Sequence, residues 1–296
     1  MKHILAVDWG TSSLRGALLT QDGAVLDERF FERGILTVAK GDFASVFKSS
    51  FGDWMTSAAL CLISGMAGSQ QGWLEAPYCA CPAGFDDLAS GLSWVTHDGP
   101  GRIAIVPGLR IEKDGVLDVM RGEETQVFGA LQSLGLDNAR LVLPGTHSKW
   151  VTVKHRRVID FSTWMTGEFY ALLRQHSILS RTLPEGEPAQ DRAAFEQGVA
   201  HALSGDGLLH SVFSVRTMGL FKRLPDQALP SYLSGLVIGE ELKHQHFPAG
   251  QTVIVMGAKA LAERYGQALA HAGVSFQLVS NSTTWQGLFA IAKPLL

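Results

Sequence analysis

Asp8-Trp9-Gly10-Thr11-Ser12-Ser13 is the stretch on which the reading of this 296-residue chain turns. It sits between two apolar runs, 4–7 and 14–19, each suited to a short strand. Glycine followed by hydroxyl residues at a strand-to-strand turn leaves backbone N–H groups and hydroxyls facing outward, a seat for phosphate oxygens. Asp8 would repel a bare phosphate. It fits such a seat if Mg2+ lies between, because hard cations take carboxylate and water oxygens. The same order of elements returns further on: an apolar run at 139–143, then Pro144-Gly145-Thr146-His147-Ser148-Lys149, then strands at 150–153 and 158–161. Moving the first loop by 135 positions places Gly10, Thr11 and Ser13 on Gly145, Thr146 and Ser148. The second loop carries Lys149 and no acid, which suits direct contact with phosphate. Two such loops, one recruiting a metal and one cationic, form a clamp for a nucleoside triphosphate.

Outward from these loops, 25–31 is a third strand, joined to the second through Asp22-Gly23, a pair that tolerates positive φ. A helix is predicted from Asp42 as N-cap, with Phe43, Val46, Phe47, Phe51 and Trp54 on one face. A buried strand at 59–64 then ends at Gly65, and 253–256 ends in the same way at Gly257-Ala258. Helical spacing recurs at Phe195/Val199/Leu203, Tyr232/Leu236/Glu240 and Leu261/Tyr265/Leu269, while 183–188 and 224–230 have the Pro and charge content of surface loops. Strands interleaved with helices give a mixed α/β protein. The repeated strand–turn–strand opening divides it into two similar domains, 1–135 and 136–296.

Composition narrows the function. Lys+Arg 25 against Asp+Glu 28 gives −3, a balance unlike that of a chain built to bind a nucleic-acid backbone. No apolar run approaches the roughly 18 residues that span a bilayer, and Asp8 interrupts what would be a signal-peptide core. Cys61, Cys79 and Cys81 read as reduced thiols of a cytoplasmic protein. No G-x-x-x-x-G-K-[ST] loop, no G-x-G-x-x-G after the first strand and no G-x-S-x-G elbow occurs, which argues against P-loop, dinucleotide and serine-hydrolase chemistry. The 32 glycines are about 11% of the chain against a typical share of about 7%. Gly10, Gly65, Gly68, Gly72, Gly122, Gly145 and Gly257 fall at strand ends or helix starts, where a missing side chain lets backbone approach a ligand.

Asp8-Trp9-Gly10-Thr11, Gly145-Thr146 and Met256-Gly257-Ala258 resemble the two phosphate motifs and the adenosine motif of the actin-like ATPase superfamily, which includes sugar kinases. Within it the chain is most similar to the 2-dehydro-3-deoxygalactonokinases. The similar segments run in order along most of the chain: Gly68-Ser69-Gln70-Gln71-Gly72-Trp73, Glu75-Ala76-Pro77-Tyr78, Cys81-Pro82-Ala83, Val119-Met120-Arg121-Gly122-Glu123-Glu124-Thr125-Gln126, Leu143 through Trp150, Met165-Thr166-Gly167-Glu168, His176-Ser177-Ile178-Leu179 and Tyr232-Leu233-Ser234-Gly235-Leu236. Gln70 and Ser13 depart from the family pattern, where Arg and Asn are common. The resemblance implies two ribonuclease H-like domains of mixed sheet plus helices around a central cleft. It also implies ATP and Mg2+ as cofactors and phosphorylation of the terminal hydroxyl of 2-dehydro-3-deoxy-D-galactonate in galactonate breakdown. The partners are then small molecules, with no nucleic acid and no membrane; a homodimer is left open. Competing readings on the same fold are a kinase for another sugar or sugar acid, a phosphatase, and an ATP-binding regulator.

A sugar kinase needs a base beside the attacking hydroxyl. Gly122-Glu123-Glu124-Thr125 precedes a helix with Val127, Phe128, Leu131 and Leu134 on one face, and the helix N-terminus keeps a first-turn carboxylate ionised. In related glycerol- and xylulose-type kinases a Gly-Asp pair in this place supplies the base, so Glu123 is its counterpart, with Glu124 as the alternative. Asp8 would hold Mg2+ through water. Gly10, Thr11, Ser12, Gly145, Thr146, His147, Ser148 and Lys149 would hold phosphates, and Gly257 and Ala258 would let adenine lie against the backbone. A sugar acid also brings a carboxylate, suited to a guanidinium. Arg15, Arg110 and Arg121 are near in sequence, and Arg121 is preferred because it abuts Glu123. Ser69, Gln70 and Gln71 could donate to the sugar, and Trp73 either packs on it or belongs to the core.

Overall fold

The computed structural model describes residues 3–280 and 283–296. It groups into two compact units, the first of Met1–Ala139, Val151–Ser162 and Asn281–Leu296, the second of Arg140–Trp150 and Thr163–Ser280. A single cut near residue 135 therefore leaves out two segments that return to the first unit.

The chain begins with β1 (His3–Trp9), β2 (Leu14–Leu19), β3 (Val25–Phe31), α1 (Phe43–Met55) and β4 (Ala58–Gly65). β1 pairs antiparallel with β2 and parallel with β4, and β2 pairs antiparallel with β3. Ile4, Leu5, Ala6 and Val7 are all fully buried, which is why β1 reads as an unbroken apolar run: both of its faces are covered. Gly23 closes the β2–β3 turn at φ +87, as the Asp-Gly pair predicts. In α1, Phe43, Phe47, Phe51 and Trp54 form the buried face. Asp42 stands at its N-cap position but makes no side-chain cap bond, because its own backbone is already helical.

Next come β5 (Tyr78–Ala80), α2 (Phe85–Ser90), β6 (Ser93–Val95), β7 (Arg102–Ile105), β8 (Gly108–Lys113), β9 (Val116–Met120) and α3 (Glu123–Leu134). β7 joins β4 in parallel, giving the sheet order β3-β2-β1-β4-β7-β6; β5, β8 and β9 make a separate small sheet. The chain continues with β10 (Ala139–Leu143), β11 (Ser148–Lys154), β12 (Arg157–Trp164), α4 (Thr166–His176), α5 (Arg192–Ser204), α6 (Leu208–Ser211), α7 (Ser214–Leu220), α8 (Leu229–Lys243), β13 (Thr252–Met256), α9 (Lys259–His271), β14 (Ser275–Val279) and α10 (Thr283–Ala292). The second large sheet has the order β12-β11-β10-β13-β14, with β10 parallel to β13 and β13 parallel to β14. Both large sheets thus begin third, second, first, fourth in their own strand count, the first sheet adding β7 and then β6 and the second adding β14, and the repeated loops occupy the same place in each: between first and second strand.

The segment 224–230 is not the surface loop its composition suggests. Asp226–Ala228 is a 3-10 turn, Leu229 opens α8, and Ala228, Leu229 and Pro230 are buried. Pro230 is tolerated because the first turn of a helix has no carbonyl partner for its missing N–H. Many glycines serve helix contacts. A Cβ on Gly198 of α5 would stand 2.2 Å from Tyr232 O of α8, and one on Gly235 would stand 2.1 Å from Phe195 O. In the first unit a Cβ on Gly129 of α3 would stand 1.8 Å from Thr283 O, and one on Gly287 of α10 1.9 Å from Thr125 O. This backbone-to-backbone seam ties the C-terminal helix to the first unit. Among the described residues no helix is long and apolar enough to cross a membrane.

Candidate active site

Asp8 lies near the end of β1, opposite Arg15 on β2 and Ser64 on β4. Its Oδ2 accepts from Arg15 Nε at 2.9 Å and Nη2 at 2.7 Å. Arg15 also donates to Thr284 Oγ1 and lies 5.3 Å from the Trp285 ring centroid. Oδ1 faces Gly65, where a Cβ would sit 3.1 Å away and also crowd Trp9 O at 2.8 Å; φ there is +92. A Cβ on Gly122, at φ +106, would in turn stand 3.2 Å from Gly65 Cα. Asp8, Gly65 and Gly122 therefore stack at the ends of β1 and β4 and the start of α3, and any side chain added would fill the space. The neighbouring turn is fixed from behind. Gly10 N–H donates to Ser13 O, Ile35 N–H to Gly10 O, and Leu36 N–H to Thr11 O. Thr11 and Ser12 stay exposed on its outer side.

Both acids at the start of α3 turn back on the backbone. Glu123 Oε2 accepts from Arg121 N–H at 3.0 Å and Glu124 Oε2 from Gly122 N–H at 2.7 Å. Their environments differ. Glu124 is fully buried beside a Ser64–Thr125 hydroxyl pair, while Glu123 is half-buried. Burial, then the negative Glu123 next door, push the Glu124 carboxyl up to about 8, against its backbone hydrogen bonds and Arg121. At this position desolvation outweighs the helix N-terminus, so the expectation of an ionised first-turn acid fails for Glu124. A group already protonated near neutral pH cannot take a proton there, which leaves Glu123 as the accessible acid.

Arg121 is buried, 9% exposed. Its Nη2 donates to Ala76 O at 2.7 Å, and its guanidinium lies 4.2 Å from the centroid of the Tyr78 ring. Nη1, buried against Gly68, has no hydrogen-bond partner, and neither has the buried Ser69 Oγ. Buried donors are rarely left unpaired, so both ask for an acceptor. Of the three arginines near in sequence, Arg15 is committed to Asp8 and Arg110 is exposed. Gln70 and Gln71 are exposed. Trp73 packs on Trp9 and Phe47, with centroids at 6.1 and 5.4 Å, which makes it a wall of the core.

In the second unit the Pro144–His147 turn is braced by the start of α4: Glu168 N–H donates to Thr146 O, and a Cβ on Gly167 would stand 2.4 Å from Gly145 O. Thr146 and His147 are exposed, with His147 Nε2 at 2.5 Å from Glu168 Oε2. Ser148 and Lys149 are turned inward. Lys149 is 6% exposed and donates to Thr163 Oγ1 at 2.7 Å; Ser148 Oγ is 2.7 Å from Tyr265 Oη. Gly257, after β13, borders the same turn, since a Cβ there would meet Pro144 O at 3.2 Å, and Ala258 is exposed beside it. The sequence reading missed Glu241, a buried acid on α8 that binds Trp150, Thr166 and Tyr265. Its trace was there: Glu241 follows the buried Leu233 and Val237 at spacings of four.

Among the described residues no group of three His, Cys, Asp or Glu side chains is placed to hold a metal. The donor set at Asp8 fits Mg2+ nonetheless, because this ion is commonly held by one or two carboxylates plus water and substrate phosphates. Asp8 Oδ1 looks into the space kept clear by Gly65.

The family model described as 2-keto-3-deoxy-galactonokinase matches residues 8–291. The 2-dehydro-3-deoxygalactonokinase of Escherichia coli K12 is 35% identical over 296 residues, covering 97% of each chain. A Rhizobium meliloti protein provisionally named for the same activity is 37% identical over 299 residues, with 99% of this chain and 97% of that one covered. A crystal structure from Sinorhizobium meliloti, under the same provisional name, superposes with a TM-score of 0.90 at 35% identity over 99% of both chains. The fold, the ordered motifs and these matches agree: the chain belongs to the 2-keto-3-deoxy-galactonokinase family.

Proposed function

We propose that the chain transfers the γ-phosphoryl group of ATP to the terminal hydroxyl of 2-dehydro-3-deoxy-D-galactonate, giving the 6-phosphate and ADP. The observation that carries the reading is the stack of Asp8, Gly65 and Gly122, followed in sequence by Glu123, together with the unpaired Arg121 Nη1 against Gly68. Family membership supports the substrate class. Asp8 would hold Mg2+ through its free oxygen and water, and the ion would offset the charge of the phosphates. The exposed Gly10-Thr11-Ser12 and Gly145-Thr146-His147 turns supply N–H and hydroxyl donors to phosphate oxygens. Ser148 and Lys149 act from beneath the second turn, while Gly257 and Ala258 leave backbone open for the nucleoside.

Glu123 accepts the proton of the attacking hydroxyl as that oxygen bonds to phosphorus and the ADP oxygen leaves. Arg121 Nη1 and Ser69 Oγ receive the sugar carboxylate, satisfying two buried donors at once. Gln70 and Gln71 are free to donate to hydroxyls. An ATP-using enzyme of sugar-acid breakdown belongs in the cytoplasm.

The test is ADP release with Mg2+, ATP and the sugar acid. Sugar-dependent ADP formation is expected, and Glu123→Gln should lose most turnover while keeping ATP affinity. Phosphate release without sugar, or turnover only with neutral sugars, defeats the reading. Full turnover in Glu123→Gln removes that residue as base.

A further inference from the structure

Glu241 sits at 1% exposure in the last turn of α8, and three polar groups from three different elements converge on its carboxylate. Trp150 Nε1 of β11 donates to Oε1 at 2.6 Å. Tyr265 Oη of α9 donates to Oε2 at 2.7 Å, and Thr166 Oγ1 of α4 donates to the same oxygen. Tyr265 Oη is also 2.7 Å from Ser148 Oγ, the first residue of β11. With Tyr265 donating to the acid, the remaining proton places Ser148 as donor to Tyr265. All four polar hydrogens then run toward one carboxylate.

The positions of these partners are what matter. Ser148 and Trp150 belong to the strand that leaves the Pro144–His147 turn. Thr166 begins α4, whose next two residues close on that turn: Gly167 packs against Gly145 O, and Glu168 N–H bonds Thr146 O. The exit strand and the bracing helix, the two elements that set the path of the turn, are therefore pinned to one buried atom group.

We propose that Glu241 is a positioning residue for nucleotide phosphate: it fixes the Gly145-Thr146-His147 turn by joining β11 to α4, without touching the ligand. The inference rests on the reading of that turn as a phosphate seat. The tie is geometric. A glutamine can reproduce it by keeping its oxygen on Trp150 and turning its NH2 toward the Thr166 and Tyr265 oxygens, which accept as readily as they donate. An alanine cannot.

The experiment measures Mg·ATP binding by equilibrium titration without sugar, together with steady-state constants, for wild type, Glu241→Ala, Glu241→Gln, Thr166→Val and Tyr265→Phe. Glu241→Ala is expected to weaken Mg·ATP binding and raise its KM about tenfold or more. Thr166→Val and Tyr265→Phe should each do so by roughly three- to tenfold, the scale of one ordinary hydrogen bond. The KM for the sugar acid and kcat should stay within about twofold, and Glu241→Gln should restore ATP binding to within about twofold of wild type. If Glu241→Ala does not fold, the two isosteric variants decide alone. A folded set with lowered melting temperature and unchanged ATP affinity overturns the proposal, as does a loss spread equally over both substrates. Wild type that fails to bind Mg·ATP overturns instead the phosphate reading on which the proposal stands.

Discussion

Replacing Glu124 by glutamine should change how stability depends on pH. The carboxyl is fully buried, accepts a backbone N–H from Gly122 at 2.7 Å, and titrates near 8 where the unfolded chain would titrate near 4.5. Between those two values the native protein holds a proton that the unfolded chain has released. Unfolding free energy from this group therefore falls as pH rises; its contribution is complete below about 4.5 and gone above about 8. Each pH unit in that window corresponds to about 1.4 kcal/mol, so the range from pH 5.5 to 7.5 is worth roughly 3 kcal/mol. Glutamine copies the neutral acid: its oxygen can take the Gly122 N–H and its NH2 can face Ser64, without the proton. Urea unfolding of both proteins at several pH values, taken as a difference, cancels the other titrating groups. Glu124→Gln should gain on wild type by roughly 3 kcal/mol between pH 5.5 and 7.5. A flat difference would mean that water or the helix N-terminus solvates the ionised form, and the burial argument would be wrong. A difference of opposite slope would mean that Glu124 is held charged, and would restore it as a candidate base.

Arg121→Met should raise the KM for the sugar acid by about tenfold or more while leaving the KM for ATP near wild type, the cost of an unpaired carboxylate; equal KM values for the acid would place its carboxylate elsewhere. Gly287→Ala pushes a methyl toward Thr125 O, 1.9 Å from the ideal Cβ, and overpacking of this kind should destabilise by about 3 kcal/mol in chemical denaturation. Unchanged stability there would mean that α3 and α10 can separate freely. Asp8→Asn keeps shape but removes the charge that holds Arg15 and would hold Mg2+, so turnover should fall by about a hundredfold or more and the Mg2+ concentration needed for half-activity should rise. An unchanged Mg2+ dependence would assign the metal to other groups.

How far sequence carries such a reading depends on how local the signal is. β1, β2, β3 and β10 were legible because each is bounded by a turn and has either an unbroken buried run or a clear apolar pattern. β5 to β9 were not. β5 to β7 have only three or four residues each, and β9 exposes Val116, Leu117 and Val119, so polarity does not follow the pleat. α10 lacks a polar face because it packs on α3 through glycine backbones, a contact between residues more than a hundred positions apart. Within the candidate site, Gly10 and Gly122 announce their turns locally. The unpaired state of Arg121 Nη1 does not, since it depends on Ala76 and Tyr78 being folded against it from another segment. Ser148 and Lys149 show the limit most plainly. A loop read as a block of phosphate ligands splits in the fold into an exposed half, Thr146 and His147, and a buried half engaged with Tyr265 and Thr163.

The duplicated architecture also explains why its two halves need not share chemistry. The offset of 135 that superposes the glycine turns carries Asp8 onto Leu143 and Trp9 onto Pro144. The first strand of each large sheet thus ends in the same turn, but only the first unit has an acid there, and Arg15 orients it. In the second unit the corresponding Leu143 is buried, 5% exposed, and the acid of that region, Glu241, lies beneath the turn. A carboxylate at the rim can recruit a cation to the surface of the turn. A carboxylate buried among Trp150, Thr166 and Tyr265 is spent on holding the backbone. On the proposed reading, one strand–turn–strand form would thus serve two tasks, separated by the depth at which each unit places its acid. The same division sorts the glycines: Gly65 and Gly122 clear space around Asp8, whereas Gly198, Gly235, Gly129 and Gly287 let helices touch backbone to backbone. An excess of glycine is thus two signals superposed, and only position relative to a strand end tells which one a given residue belongs to.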